Sequence, residues 1–208
     1  MSRDTRFFTR WMVVVWPALA VAVTGCSGRP ARLTPPSLSP AGIAAALIEP
    51  ADADVDGGLT KDELVQAPVL ASLLPQFDTD GDGRLAKAEL ETWLQAVRDS
   101  RVAVTSFTAI VRHRGRPVTG ATLTIDPLPP FKDAIQKAEG QTDDRGRTSP
   151  AIPGAAYPGV NCGIYAVRIE GTGSDGEPLP AKYNADTSLG LAVGAGLPPD
   201  GAVVFDLD

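Results

Sequence analysis

The chain of 208 residues holds one histidine, His113, and two cysteines, Cys26 and Cys162. A single imidazole cannot build a histidine-rich zinc shell, and two thiols do not make a disulfide scaffold. Catalysis that turns on a histidine base is equally hard to assemble. No nucleophile–base pairing and no glycine-rich phosphate loop is visible, so the chain is read as not an enzyme. Basic charge is also short. The chain has 19 Lys and Arg against 25 Asp and Glu, a formal net charge of −6. That balance argues against nucleic acid as a partner and is compatible with divalent cations.

Glycine and proline are plentiful, at 21 and 19 residues, which suits turn-rich β structure and linkers better than a helix bundle. The remaining composition, 43% hydrophobic and 21% charged, is that of a globular protein. The length allows one medium domain or two small ones.

The longest apolar run sits at the N-terminus. Arg3, Arg6 and Arg10 precede thirteen residues, Trp11 to Val23, interrupted only by Pro17. This is short of the ~20 residues of a membrane span and suits the apolar region of an export signal. The run ends in Val23-Thr24-Gly25-Cys26-Ser27, which resembles the lipobox of bacterial lipoproteins. The resemblance implies a signal peptide over residues 1–25, removed on maturation, and lipidation at Cys26 through its sulfur. It also implies a membrane partner and a place in the cell envelope, on the periplasmic or extracellular face. Removal of residues 1–25 takes away three arginines and one aspartate, leaving 16 basic and 24 acidic residues. Residues 26–39, rich in proline and serine, read as a tether.

Ser39-Pro40 signals a helix start, with Ser39 as N-cap, and Pro50 ends that helix. Two twelve-residue segments of the same layout follow, 52–63 and 78–89. Each has aspartates at steps 1, 3 and 5: Asp52, Asp54 and Asp56, then Asp78, Asp80 and Asp82. Gly57 and Gly83 stand at step 6, Leu59 and Leu85 at step 8, Glu63 and Glu89 at step 12. The segments resemble EF-hand loops, and the second matches the motif completely. The chemistry accounts for the spacing: Ca²⁺ is a hard ion that takes six to eight oxygens, and a glycine at step 6 permits the sharp turn. The resemblance makes backbone carbonyls of Gly58 and Arg84 ligands at step 7, with Thr60 acting through water at step 9. It also makes Glu63 and Glu89 bidentate ligands. Ala86 offers no side-chain oxygen at step 9. Val55 stands at step 4 of the first segment where Gly81 stands in the second, so the second is expected to be the tighter site. The leucines at step 8 are expected to join the two loops by a short β contact.

Apolar stripes at helical spacing flank the second segment: Leu70, Leu73, Leu74 and Phe77 before it, Leu90, Trp93, Leu94 and Val97 after. The segments start 26 residues apart, closer than in a calmodulin-type pair, and Pro68 and Pro75 are expected to break the connector. The helices between must be short, and a fixed calcium site suits them better than a large opening.

From about Val102 the pattern changes to period two. Strands are expected at 105–111, 121–125, 163–169 and 203–207, with a hairpin turn at 143–147. The pieces Arg116-Pro117-Val118-Thr119-Gly120-Ala121, Thr142-Asp143-Asp144-Arg145-Gly146-Arg147 and Gly163-Ile164-Tyr165-Ala166-Val167 resemble carboxypeptidase-regulatory-like, transthyretin-like β-sandwich modules. Such a module implies a packing or interaction role, with an envelope protein or a glycan as partner. Residues 126–139 are expected to be a variable loop or short helix, His113 a solvated surface residue, and Cys162 buried and inert. The predicted fold is thus α+β: an EF-hand pair over 40–100, then an antiparallel β-sandwich of the transthyretin-like type over 101–208.

Overall fold

The computed structural model describes residues 39–194, 197 and 201–208. The expected signal peptide, Cys26 and all of the tether before Ser39 lie outside the described residues. Among the described residues, four helices and twelve strands make a mixed helix-and-sheet fold, and no helix is long and apolar enough to cross a membrane.

The first part runs α1 (Pro40–Ile48), β1 (Gly58–Leu59), α2 (Lys61–Leu64), α3 (Pro68–Phe77), β2 (Leu85–Ala86) and α4 (Lys87–Ser100). The Ser39 side chain accepts the Gly42 N–H at 3.4 Å and caps α1, with Pro40 in the first turn. The expected apolar stripes face inward. Leu70, Leu73 and Phe77 of α3 and Leu90, Leu94 and Val97 of α4 are buried. Phe77 meets Trp93 edge to face, with ring centres 5.4 Å apart. Pro68 opens α3, as a proline without an N–H can. Pro75, expected to break the connector, instead lies inside α3. Its ring is on the exposed side, where water can bond the carbonyl it frees, while Leu73 and Phe77 anchor the same turns in the core.

After Arg101, whose backbone is left-handed at φ 55°, the chain turns to strands. They are β3 (Val104–Thr105), β4 (Thr108–His113), β5 (Arg116–Pro117), β6 (Thr122–Pro127), β7 (Ala138–Gln141), β8 (Arg147–Thr148), β9 (Val160–Asn161), β10 (Gly163–Glu170), β11 (Gly190–Val193) and β12 (Ala202–Leu207). One sheet has the order β11-β10-β6-β7 and is antiparallel throughout. The other has β4 at its centre, paired with β12, β5 and β8. The expected strand over 105–111 is two strands, β3 and β4, with Ser106-Phe107 between them, and among the described residues β3 pairs only with β9.

Three long-range choices depart from the sequence reading. The β4–β12 pair is parallel, with Thr108 opposite Ala202 and His113 opposite Leu207. The strand before β12 belongs to the other sheet, so no hairpin fixes the direction of β12. The turn at 143–146 is present, but the strands it joins separate: β7 goes to β6 and β8 to β4. The segment 126–139 is not a loose loop. It holds a short 3₁₀ turn, Pro129–Phe131, and buries Phe131 and Ile135 in the core.

The core does not stop at the end of α4. One cluster of buried side chains joins Leu70, Leu73, Phe77, Leu90 and Leu94 to Leu123, Ile125, Ile164 and Leu191. At Gly190 of β11 a Cβ would lie 2.7 Å from the Val69 carbonyl of α3 and 2.6 Å from Ser72 Oγ. At Gly194, at φ 142°, a Cβ would lie 2.7 Å from Val97 of α4. Helices and sheet touch where side chains are missing.

Candidate metal centre

The two acidic segments fold alike because the same residue types make the same local hydrogen bonds. In the first, Asp52 accepts the N–H groups of Asp56 (3.2 Å) and Gly57 (3.0 Å). In the second, Asp78 accepts those of Asp82 (3.1 Å) and Gly83 (3.0 Å). Asp54 accepts from Asp56 N–H and Asp80 from Asp82 N–H, two residues on in each case. Asp56 accepts from Gly58 N–H at 3.0 Å, and Asp82 from Arg84 N–H at 2.7 Å. Short acceptor side chains bending back on backbone N–H groups curl each segment into a ring. Gly57 and Gly83 take φ of 85° and 79°, which the tight turn requires and which costs glycine little.

The closing glutamates also match. Glu63 accepts the N–H of Ala53 and of Thr60, each at 2.8 Å, and the Thr60 hydroxyl at 2.8 Å. Glu89 accepts the N–H of Thr79 at 2.8 Å and of Ala86 at 3.0 Å. Each glutamate thus bridges the second and ninth steps of its own ring. Thr60 and Glu63 cap α2 reciprocally, a capping box. Ala86 has no hydroxyl to do the same for α4. The rings meet through the leucines expected to join them: β1 pairs with β2, Leu59 opposite Leu85 and Gly58 opposite Ala86. Both leucines are wholly buried.

One carboxylate oxygen from each of Asp52, Asp54 and Glu63 lies within 4.8 Å of the others, and the same holds for Asp78, Asp80 and Asp82. Oxygens around one Ca²⁺ ion at 2.3–2.6 Å reach separations of about 5 Å, so both groups are compact enough to share a divalent cation. The donors are all hard oxygens, which suits Ca²⁺ or Mg²⁺ over softer metals. Asp56 stands outside the first group and Glu89 outside the second.

The charges are unevenly relieved. Asp54 is pushed above the ordinary carboxylate value, by desolvation first and then by the Asp56 and Glu63 charges. Glu63 is held down to about 2 by the Thr60 N–H and hydroxyl and by the Ala53 N–H. Asp56 is lowered chiefly by the Arg84 guanidinium, which forms an ion pair with it across the two rings. That guanidinium went unread in the sequence, where Arg84 counted only for its carbonyl. No neighbouring residue in the sequence signals that contact, because Asp56 stands 28 residues before Arg84.

His113, expected to be solvated, is 3% exposed. Its Nδ1 accepts the Ser174 N–H at 3.1 Å, and the Ser174 hydroxyl donates to its carbonyl at 3.0 Å. Burial in β4 alternates, and His113 shares the inward parity of Ala109 and Val111. Cys162 is buried as expected, 3.8 Å from Thr105 Oγ1, and burial pushes its thiol up. Comparison of the chain with protein-family models, with curated proteins and with solved structures returns no match.

Proposed function

We propose that the chain is a calcium-binding lipoprotein of the cell envelope. In this reading Cys26 carries the lipid anchor and residues 40–100 act as an EF-hand pair. Residues 101–208 form a transthyretin-like sandwich with a structural or interaction role. Asp52, Asp54, Asp56 and Glu63 would hold one Ca²⁺ and Asp78, Asp80, Asp82 and Glu89 a second, with carbonyls of Gly58 and Arg84 and a water at Thr60 completing the shells. The ion would supply charge neutralisation and cross-linking of each ring. The reading assigns no catalytic step.

The observation that carries it is the duplication. Two segments repeat the same principal backbone-to-carboxylate hydrogen bonds at matching steps and are joined at Leu59 and Leu85. Acidic turns that bind nothing have no reason to repeat in register. Extracellular calcium modules bind with Kd of ~10⁻⁴–10⁻³ M, which suits an exposed, solvated site. Calorimetric titration of the chain with calcium, beside Glu63→Gln and Glu89→Gln, tests the reading. Two binding events, each lost with its own variant, are expected, and no heat at millimolar calcium would defeat it.

A second reading is favoured by the close contacts of Gly190 with α3 and of Gly194 with α4. In it the protein is an accessory binding module for a protein or glycan, and calcium only stiffens the helices beneath the sheet. Partner binding that survives Glu89→Gln would favour this second reading.

A further inference from the structure

The two rings are alike in outline, but a cation from the second reaches into the first. The Arg84 guanidinium pairs with Asp56 Oδ2, while Asp56 Oδ1 accepts the Gly58 N–H. Arg84 passes beside Gly58, where a Cβ would stand 3.5 Å from its Nη2, an ordinary contact distance. The matching carboxylate of the second ring, Asp82, stays grouped with Asp78 and Asp80, whereas Asp56 is missing from the group formed by Asp52, Asp54 and Glu63. The reverse contact is weaker in kind. Lys61 of the first ring lies over Gly83 of the second, yet makes no ion pair among the described residues.

We propose that Arg84 is a resident cation on the first ring, which a divalent ion must displace before Asp56 can join the shell. This rests on the calcium reading above and adds an order to it: the second ring fills first and the first fills at higher calcium. Displacement is feasible because the pair is solvated, with side chains about two-fifths exposed (40% and 39%), and such surface pairs are weak. Arg84 therefore sets the affinity of the neighbouring ring rather than of its own.

The test is a calcium titration of the full-length chain in detergent, followed by the amide NMR signals of Gly57 and Gly83. Each of these amides bonds the first carboxylate of its own ring, so each reports one ring. In the unaltered chain Gly83 should respond at lower calcium than Gly57. In Arg84→Gln the Gly57 midpoint should fall about tenfold, the size expected when one positive charge leaves the edge of a solvated divalent site. The Gly83 midpoint should move by less than about twofold, and Arg84→Lys, which keeps the charge but loses the planar fork, should fall between. Arg98→Gln, the same change of charge at a distance, should move neither. Equal shifts at both glycines, or none, would overturn the proposal while leaving calcium binding intact. No response at either glycine well above ~10⁻³ M calcium would sink both.

Discussion

Val55 and Gly81 occupy the same step of the two rings and share a left-handed backbone, at φ 58° and 78°. Glycine adopts it freely, whereas a β-branched residue is strained there. Val55 is 85% exposed, so its side chain buries nothing in return. Val55→Asn should stabilise the protein by about 1 kcal/mol in thermal unfolding, since asparagine tolerates the conformation. On the calcium reading proposed above, it should also tighten the first ring for calcium and narrow the gap between the two midpoints. An unchanged melting temperature would show that the ring relaxes around valine without cost.

Glu89 reaches back to the Ala86 N–H, but Ala86 cannot return the bond as Thr60 does for Glu63. Ala86→Thr should complete the capping box of α4 and add about 1 kcal/mol, and Thr60→Ala should remove a similar amount. Urea unfolding of the two single variants would read both. Opposite signs are expected, and a loss from Ala86→Thr would mean that the ninth step has no room for a hydroxyl.

Gly190→Ala places a methyl group 2.7 Å from the rigid Val69 carbonyl. A loss of about 1–3 kcal/mol is expected from such overpacking. In a chain trimmed to 27–208, Trp93 is the one tryptophan, so its fluorescence follows the helices while circular dichroism follows the whole. The two melting curves should coincide in parent and variant, because one core spans both parts. Separate transitions would show that the parts unfold independently.

Asp143 accepts the N–H groups of Arg147 and Arg145, each at 2.8 Å. Those bonds, that of Arg147 first, hold its carboxyl below the ordinary value of 3.8. A lowered folded value favours the folded state above 3.8, and the advantage is lost as pH falls through the folded value. Stability of the parent should therefore decline below pH 3.8 more steeply than that of Asp143→Asn. Parallel pH profiles would remove the turn as a source of acid sensitivity.

What could be read from the sequence was local. The cap at Ser39, the ring layout, the Leu59–Leu85 contact and the strand that became β10 are set by residues close in the chain or by simple periodicity. What escaped depends on partners far away. Phe131 and Ile135 follow three prolines and read as loop, yet they fill the core beside Gly163, where a Cβ would clash with Ile135. The sheet chosen by each strand around the 143–146 turn, and the direction of β12, are decided by packing rather than by turn chemistry. Arg84 was overlooked because its partner, Asp56, lies in the other ring.

The parallel pair of β4 and β12 also bears on folding kinetics. Residue 108 meets residue 202, so β4 waits for strand material from far along the chain. Contacts of such separation slow folding, and until they form, the open edge of β4 is a template for pairing with other chains. Each ring closes on itself through bonds spanning ten residues or fewer and faces no such delay. Assembly should begin at the acidic rings, and the closing of β12 on β4 should set the time for which the unfinished sheet is open to aggregation.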